Sequence, residues 1–279
     1  MNLQRVRTAI RHIDRLPEVI TCLAAVQQGP AIAASYVGLK PLRLPHTVRL
    51  RNGTSYRLEE YTDLETLWQI YFHHVYPLQA HDEVIVDAGA NVGLFACWAA
   101  ARNPQARIYA VEPSPDNTGR LLEHLRMNGV DDRVQLFTYA LSSTERTVWL
   151  ADNPNGSQMR HVTSGPTGGG VTVPALSLGE LLARVPHDRV DFLKMDIEGS
   201  EYDVLMGTTA EQLSPVRRIS FEYHQPPRGC RHDKASLLAH LASCGYSAIV
   251  DAGGRAEYGM IHAARPALGP LRTASSRNH

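Results

Sequence analysis

The chain has 279 residues, which suits one α/β domain of ordinary size plus an accessory segment. Lys plus Arg and Asp plus Glu number 28 each, so the formal charge is zero and a general binder of nucleic acid is disfavoured. Hydrophobic residues make up 43%, enough for a core, and four scattered cysteines without a C-x-x-C spacing argue against a zinc ribbon or disulfide framework and for a reducing, cytoplasmic setting.

The first stretch, MNLQRVRTAIRHIDRLPEV, carries too many charges for a signal peptide. Leu3, Val6, Ile10, Ile13 and Leu16 recur at helical spacing and predict an amphipathic helix. Its apolar face would pack on the body or on a second subunit, which makes this segment the place for a homo-oligomer contact. The arginines opposite allow a membrane-surface role, but no run reaches the ~20 apolar residues of an integral membrane span. HTVRLRNGTSYRLEE then alternates around Asn52-Gly53, the signal of a hairpin. TDLETLWQIYFHHVY reads as one helix with Thr62 as N-cap, Glu65 completing a capping box, and Leu64, Leu67, Ile70 and Tyr71 as its apolar face. Of His73 and His74 only one can face inward. Residues 1–80 thus form an N-terminal helix and hairpin accessory segment suited to acceptor or oligomer contacts.

From residue 83 the pattern changes. VIVDA, RIYAVE, VQLFTYA, VDFLKMD, RRISFEYH, YSAIVDA and EYGMIHA are short apolar runs separated by helical stretches. Strands buried on both faces with helices between them predict a doubly wound, mostly parallel sheet over residues 81–265. An insertion at about 144–176 brings the loop chemistry of NPNGSQM and SGPTGGG, with TVWL and VTVPAL beside it as an edge hairpin. His161 lies in this insertion, which is positioned to cover an acceptor. His12, His187, His232, His240 and His279 read as surface residues. The tail, 266–279, reads as frayed.

The run VIVDAGANVGLF ends a strand with Asp87 and turns through Gly89 and Gly93 into a helix. The glycines would let backbone N–H groups approach a ligand, with the helix N-terminus near Asn91 and Val92 adding partial positive charge. The second glycine of the G-x-G-x-x-G dinucleotide fingerprint is missing, Asn91 standing in its place, and no Gly-Lys-Ser/Thr of a phosphate loop follows. Asp87 suits a cationic amine better than a phosphate. Glu112, in VEPSPDN, lies close to the ~20-residue offset at which an acid grips ribose hydroxyls, and Ser114-Pro115 starts a helix behind it. The implied ligand has a ribose, an amine and a carboxylate but no pyrophosphate, which fits S-adenosylmethionine.

A second polar cluster closes the run FLKMDIEGSEYDVL. Ser200 and Asp203 read as the S-x-x-D start of a short helix that Gly207 ends. Lys194, Asp196 and Glu198 precede it, and Glu222 and His224 share one face of the next strand. If these strands lie beside the glycine turn, Asp196, Glu222 and His224 converge where a methyl group would meet its acceptor. A hydroxyl acceptor needs either a base, His224 or Asp196, or a divalent cation such as Mg2+ held by Asp196, Glu222 and His224. The structural alternative is a salt-bridge network of Lys194, Asp196, Glu198 and neighbouring arginines.

VIVDAGANVGLF, VEPSPDN and FLKMDIEGSEYDVL together resemble the FkbM family of S-adenosylmethionine-dependent methyltransferases, from about residue 84 to 224 and more loosely to 262. The resemblance implies a class I, Rossmann-like seven-stranded sheet and O-methylation of a carbohydrate or secondary-metabolite hydroxyl, the acceptor being a small molecule or glycan. The donor set it implies is Asp87, Gly89, Ala90, Asn91, Gly93, Glu112, Pro113, Ser114, Ala140 and Asp196. The catalytic set is Asp196, His224, Lys194 and Glu198. The alternatives are a catalytically silent S-adenosylmethionine-binding partner, a nucleotide-linked oxidoreductase, and an N-methyltransferase. For the last, HQPPRG has the Pro-Pro of the customary loop but Arg228 where an aromatic residue belongs.

Overall fold

Residues 15–144, 146–152, 161–163, 165–166, 169–224, 232–251 and 258–266 are described by a computed structural model of the chain. The amphipathic stretch from Leu3 to Ile13 and the HQPPRG loop beyond His224 lie outside them. The accessory segment comprises α1 (Leu16–Ala25), α2 (Gly29–Tyr36), β1 (His46–Arg49), β2 (Ser55–Leu58) and α3 (Tyr61–Trp68). One turn of π-helix, Gln69–His73, follows α3. The hairpin forms where the Asn-Gly pair predicts it: Arg49 pairs with Ser55 and Gly53 takes φ +94°.

The third helix departs from its sequence reading at both ends. Glu60, not Thr62, is the N-cap, and Asp63, not Glu65, completes the capping box. Asp63 is fully buried, pairs with Arg120, and accepts the N–H groups of Glu59 and Glu60 at 2.7 and 2.9 Å. A carboxylate held that firmly fixes the helix start two residues earlier than the motif does. At the other end the predicted single helix widens into the π-turn and stops at His74, φ +55°.

All seven apolar runs become strands of one sheet. They are β3 (Val84–Ala88), β4 (Arg107–Val111), β5 (Val134–Phe137), β10 (Phe192–Met195), β11 (Arg218–His224), β12 (Ser247–Val250) and β13 (Tyr258–Ala264). The order is β12-β13-β11-β10-β3-β4-β5, all parallel except β13. The chain runs outward from β3 through β4 to β5, then returns to β10 and runs the other way. The reversal lies between β3 and β10, where a doubly wound sheet opens a crevice at its strand carboxyl ends.

The insertion is a separate sheet rather than an edge hairpin of the main one. Its strands β6 (Ala140–Leu141), β7 (Thr147–Ala151), β8 (His161–Thr163) and β9 (Gly170–Leu176) lie in the order β6-β9-β7-β8. TVWL and VTVPAL do pair antiparallel, as their alternation predicts.

Helices cover both faces. On one, α6 (Leu178–Leu182), α7 (Glu201–Met206) and α8 (Lys234–Ser243) bury Leu181, Tyr202, Leu205 and Leu237 against the sheet. α7 starts after Ser200 and ends at Gly207 as the sequence predicts, but without the S-x-x-D box. Ser200 makes no side-chain cap, and Asp203 instead accepts the backbone N–H of Ser143 at 2.9 Å.

On the other face, α4 (Leu94–Arg102) and α5 (Pro115–Met127) share one core with the accessory segment. Cys22, Ile32, Leu64 and Trp68 belong to the same cluster as Phe95, Trp98 and Leu121. Tyr36 stacks on Trp68 at 3.8 Å. His124 on α5 binds the Val92 carbonyl at 2.7 Å and accepts the Arg57 N–H at 2.9 Å, so hairpin, turn and helix meet on one imidazole. Cys22, Cys97 and Cys244 are buried free thiols. Among the described residues no helix is long and apolar enough to cross a membrane.

A chain beginning at Leu78 would uncover Phe95 and Trp98, which pack against Tyr76 and Tyr71. It should be insoluble or lose cooperative unfolding, rather than fold with only its acceptor site missing. A sharp calorimetric transition in the truncated chain would refute a shared core.

Candidate functional site

The glycine turn joins β3 to α4, and its glycines answer to the protein's own atoms. Gly89 has φ +77°, and a Cβ there would stand 1.7 Å from the Asp196 carbonyl oxygen. Gly93 has φ +82°, and a Cβ there would meet Leu121 Cγ at 2.9 Å. The N–H groups of Gly89 and Ala90 donate to the Val111 carbonyl at 3.0 and 2.9 Å, and that of Gly93 to the Ala90 carbonyl at 2.8 Å. Asn91 N–H donates to Glu112 Oε2 at 2.8 Å. The sequence reading gave these donors to a ligand; the fold uses them itself. The helix also starts later than expected, at Leu94.

Beside the turn lies a cleft of about 640 Å³, bordered by Gly89, Asn91, Glu112, Pro113, Asn117, Ala140, Asp196 and Glu198, with Leu150 and Val162 of the insertion sheet as an apolar wall. Glu112 is buried, and Oε1 accepts the Ser114 N–H at 2.9 Å. Burial raises its carboxyl above the ordinary range, opposed by the N–H donors of Ser114 and Asn91. The side-chain oxygens of Asn91 and Asn117 are buried and accept no hydrogen bond among the described residues. Ser114 stays behind the cleft as the cap of α5, accepting the Asn117 N–H at 3.5 Å, and Gly93 also lies off its wall.

Asp87 does not reach this cleft. It is fully buried and pairs with Lys194 at 2.9 Å, while Lys194 Nζ donates to the Gly89 carbonyl at 2.7 Å. The expected salt-bridge network therefore takes another form, with Lys194 on Asp87 rather than on Asp196 and Glu198. Burial alone would lower the Lys194 ammonium, but Asp87 and Asp196 outweigh it and hold it above its ordinary value.

A second cleft, about 900 Å³, opens on the other side of the turn. Its floor carries Lys194, Asp196, Glu222 and His224 from the strand ends; α3 and the residue after it supply Thr62, Glu65, Thr66 and Gln69 as the facing wall. Those four stand at i, i+3, i+4 and i+7, one stripe of a helix. Ala90, Leu94 and Tyr76 also border it. Gly89, Asn91, Asp196 and Glu198 border both clefts.

Tyr76 was not singled out in the sequence. Its hydroxyl donates to Asp196 Oδ2 at 3.3 Å, and its ring lies 5.7 Å from Lys194 Nζ. Burial and the charges of Asp196, Glu222 and Asp87 push that phenol well above its ordinary range. The residue carries no motif, and it lies in the loop that joins α3 and the π-turn to β3.

The floor is crowded with acid. Burial and the Asp196 charge push Glu198 to about 8 and Glu222 to about 7. His224 Nδ1 lies 3.4 Å from Glu201 Oε1 and Nε2 lies 3.8 Å from Glu198 Oε2. Burial works against the imidazolium, yet the Glu201 carboxylate beside it and the surrounding acids raise it to about 9. A proton held that firmly counts against the base reading of this residue. Among the described residues no three His, Cys, Asp or Glu side chains are grouped to hold a metal ion, so the Mg2+ set of Asp196, Glu222 and His224 does not form. Elsewhere, His240 is partly buried on the Thr208 carbonyl at 3.0 Å, against its surface reading, and His187 is exposed.

Residues 87–248, more than half the chain, match the family described as "Methyltransferase FkbM domain". Among curated proteins, the chain is 31% identical to the hexuronic acid methyltransferase AglP of Haloferax volcanii over 143 residues, covering 51% of this chain and 56% of that one. It is 27% identical to the AMB antimetabolite synthetase AmbE of Pseudomonas aeruginosa, over 57% of this chain but 9% of the synthetase. The 2-O-methyltransferase NoeI of Sinorhizobium fredii is 28% identical over 52% of this chain and 65% of its own length. The chain thus spans less than two thirds of each of these relatives.

Because Glu198, Glu222 and His224 all bind protons more tightly folded than unfolded, the folded state releases them later as pH rises. Their contribution to stability is complete below about pH 4.5 for the acids and 6.5 for the imidazole, and is lost as pH rises through about 7 to 9. Urea melts should show stability falling across that window, and Glu198→Gln should flatten the fall. A pH-independent midpoint would mean that the cluster is not buried as described.

Proposed function

The chain belongs to the FkbM methyltransferase family, and from that premise we propose that it is an S-adenosylmethionine-dependent O-methyltransferase acting on a hydroxyl of a carbohydrate or secondary metabolite. The observation that carries this reading is the meeting of the two clefts at Gly89, Asn91, Asp196 and Glu198. A group held in one can pass to an acceptor in the other only there. The names of AglP, a hexuronic acid methyltransferase, and NoeI, a 2-O-methyltransferase, support the acceptor class.

The smaller cleft suits the donor. Glu112 offers a carboxylate to ribose hydroxyls, and the unused oxygens of Asn91 and Asn117 offer further acceptors on the same wall. With the turn's N–H groups engaged internally, little is left there to bind a pyrophosphate. When bound, S-adenosylmethionine supplies a methyl group already activated by its sulfonium.

The chain's own task is to align the acceptor and remove its proton. An alcohol near pH 7 needs a base within reach. Asp196 has the position, at the junction of the clefts, with one carboxylate oxygen held by Tyr76. Glu222, at about 7, is poised to receive a proton from the same floor. His224, at about 9, stays protonated and offers a donor to the acceptor instead. The α3 stripe gives the accessory segment a part in acceptor choice.

Calorimetry should show micromolar binding of S-adenosylmethionine and none of NAD(H). Glu112→Ala should weaken the former by about 1.5–3 kcal/mol, since a charged acceptor is lost; unchanged affinity would remove Glu112 from the donor site. Asp196→Asn should cut turnover by about 10²-fold or more. Wild-type turnover in that variant would remove Asp196 from the reaction. With acceptor in hand, the rate should rise as Glu222 ionises through about pH 7 and fall as His224 loses its proton above about 9. Glu222→Gln should erase the rising limb, and EDTA should leave the rate unchanged.

A further inference from the structure

Residues 196–200 form a turn between the two clefts. Asp196, Ile197, Glu198 and Ser200 border the smaller cleft, and Asp196 and Glu198 also border the larger. The turn is tightly curled: Glu198 has φ +52° and Gly199 φ +95°, two left-handed residues in succession. Gly199 enters that region freely. Glu198 carries a side chain and enters it at a cost that the surroundings must offset.

The turn's own bonding offsets little of it, since the bond from the Ser200 N–H to the Ile197 carbonyl is long at 3.4 Å. Glu201, the first residue of α7, supplies the rest. Its Oε1 accepts the N–H of Ile197 at 3.1 Å and that of Gly199 at 3.2 Å, the residues on either side of Glu198. The chain is thus wrapped around one oxygen. The same oxygen lies 3.4 Å from His224 Nδ1, so it also ties the turn to the end of β11. Glu201 is fully buried and borders neither cleft. Its Oε2 has no hydrogen-bond partner among the described residues. A buried carboxylate with one oxygen unanswered is costly where an apolar side chain could fill the same space, so the two N–H bonds are what the acid is there to make.

Resting on the methyltransferase reading, we infer that Glu201 is a positioning residue for the donor: it holds residues 196–200 in the curl that walls the smaller cleft, and so sets donor affinity without touching the donor. What the donor site requires of this position is an oxygen that accepts two N–H groups, not merely a side chain of the right volume. Gln keeps such an oxygen at the same reach, whereas Met has a similar length and only a weakly accepting sulfur.

The test titrates S-adenosylhomocysteine into the full chain by calorimetry. Glu201→Met should weaken binding about tenfold, while Glu201→Gln should stay within about threefold of the unsubstituted chain. A role in packing alone predicts no such gap, because Gln and Met fill the space alike. In amide hydrogen exchange the Ile197 and Gly199 N–H groups should be protected in the unsubstituted chain and in Glu201→Gln. In Glu201→Met they should exchange faster while those of β10 do not. Undiminished affinity in Glu201→Met or an equal loss in Glu201→Gln overturns the inference. So do unprotected Ile197 and Gly199 N–H groups in the unsubstituted chain, a result that stands even if Glu201→Met does not fold. The first titration keeps the two readings apart: if S-adenosylhomocysteine does not bind the unsubstituted chain, the donor reading fails and takes this one with it. If it binds and Glu201→Met binds it equally, only the role of Glu201 falls.

Discussion

The site depends on how closely β3 and β10 approach at their carboxyl ends. Gly89 makes the approach possible, because any side chain there would collide with the Asp196 carbonyl. Lys194 then locks it: one ammonium binds Asp87 on β3 and the Gly89 carbonyl while belonging to β10. A buried charge of this kind is expensive unless paired and hydrogen-bonded, and here it is both. The turn is clamped to the strand that carries Asp196, and for that reason Asp196 borders two clefts rather than one. Asp87 acts through this clamp and borders neither cleft.

The accessory segment is the second condition. Its apolar residues complete the core on the α4 and α5 face, so it cannot be shed without uncovering the domain. Its polar side walls the larger cleft. The two roles fall on opposite faces of α3, with Leu64, Leu67 and Trp68 inward and the stripe from Thr62 to Gln69 toward the cleft. Arg120 pairs with Asp63 at the helix start, and the π-turn at its end carries Gln69 into the cleft wall. A change of acceptor within such a fold would fall on the stripe, because the inward face is committed to packing.

What was legible in the sequence was what short-range physics decides. Runs such as VIVDA and FLKM are predominantly apolar and read as interior strands; Asn52-Gly53 sets a turn by its own backbone preferences. Which carboxylate does what was less legible, because it depends on partners distant in the chain. Asp63 outranks Glu65 as a cap through Arg120, 57 residues on. His224 looks like a base in isolation, and the Glu201 carboxylate at 3.4 Å raises its pKa. Tyr76 carries no motif, and it touches Asp196 across 120 residues. The turn's N–H groups seemed free because the Val111 carbonyl that accepts two of them lies on a neighbouring strand.

Two acids at strand ends, Glu112 and Asp196, show how environment divides roles between like groups. Glu112 accepts N–H bonds from Asn91 and Ser114 and a longer one from Asn117, so its carboxylate is fixed in place and its charge is spread over donors. Such a group serves recognition, because it is held where it can accept further hydroxyls. Asp196 has only the Tyr76 hydroxyl on its side chain among the described residues, and it sits amid other carboxylates. A proton taken up by Glu198 or Glu222 relieves repulsion beside it, which favours uptake at the moment an acceptor hydroxyl gives its proton up. The same repulsion would be a defect in a recognition site. In the proposed reaction it is what makes the floor of the larger cleft basic enough to act, and the rigid clamp on β3 is what lets the fold tolerate it.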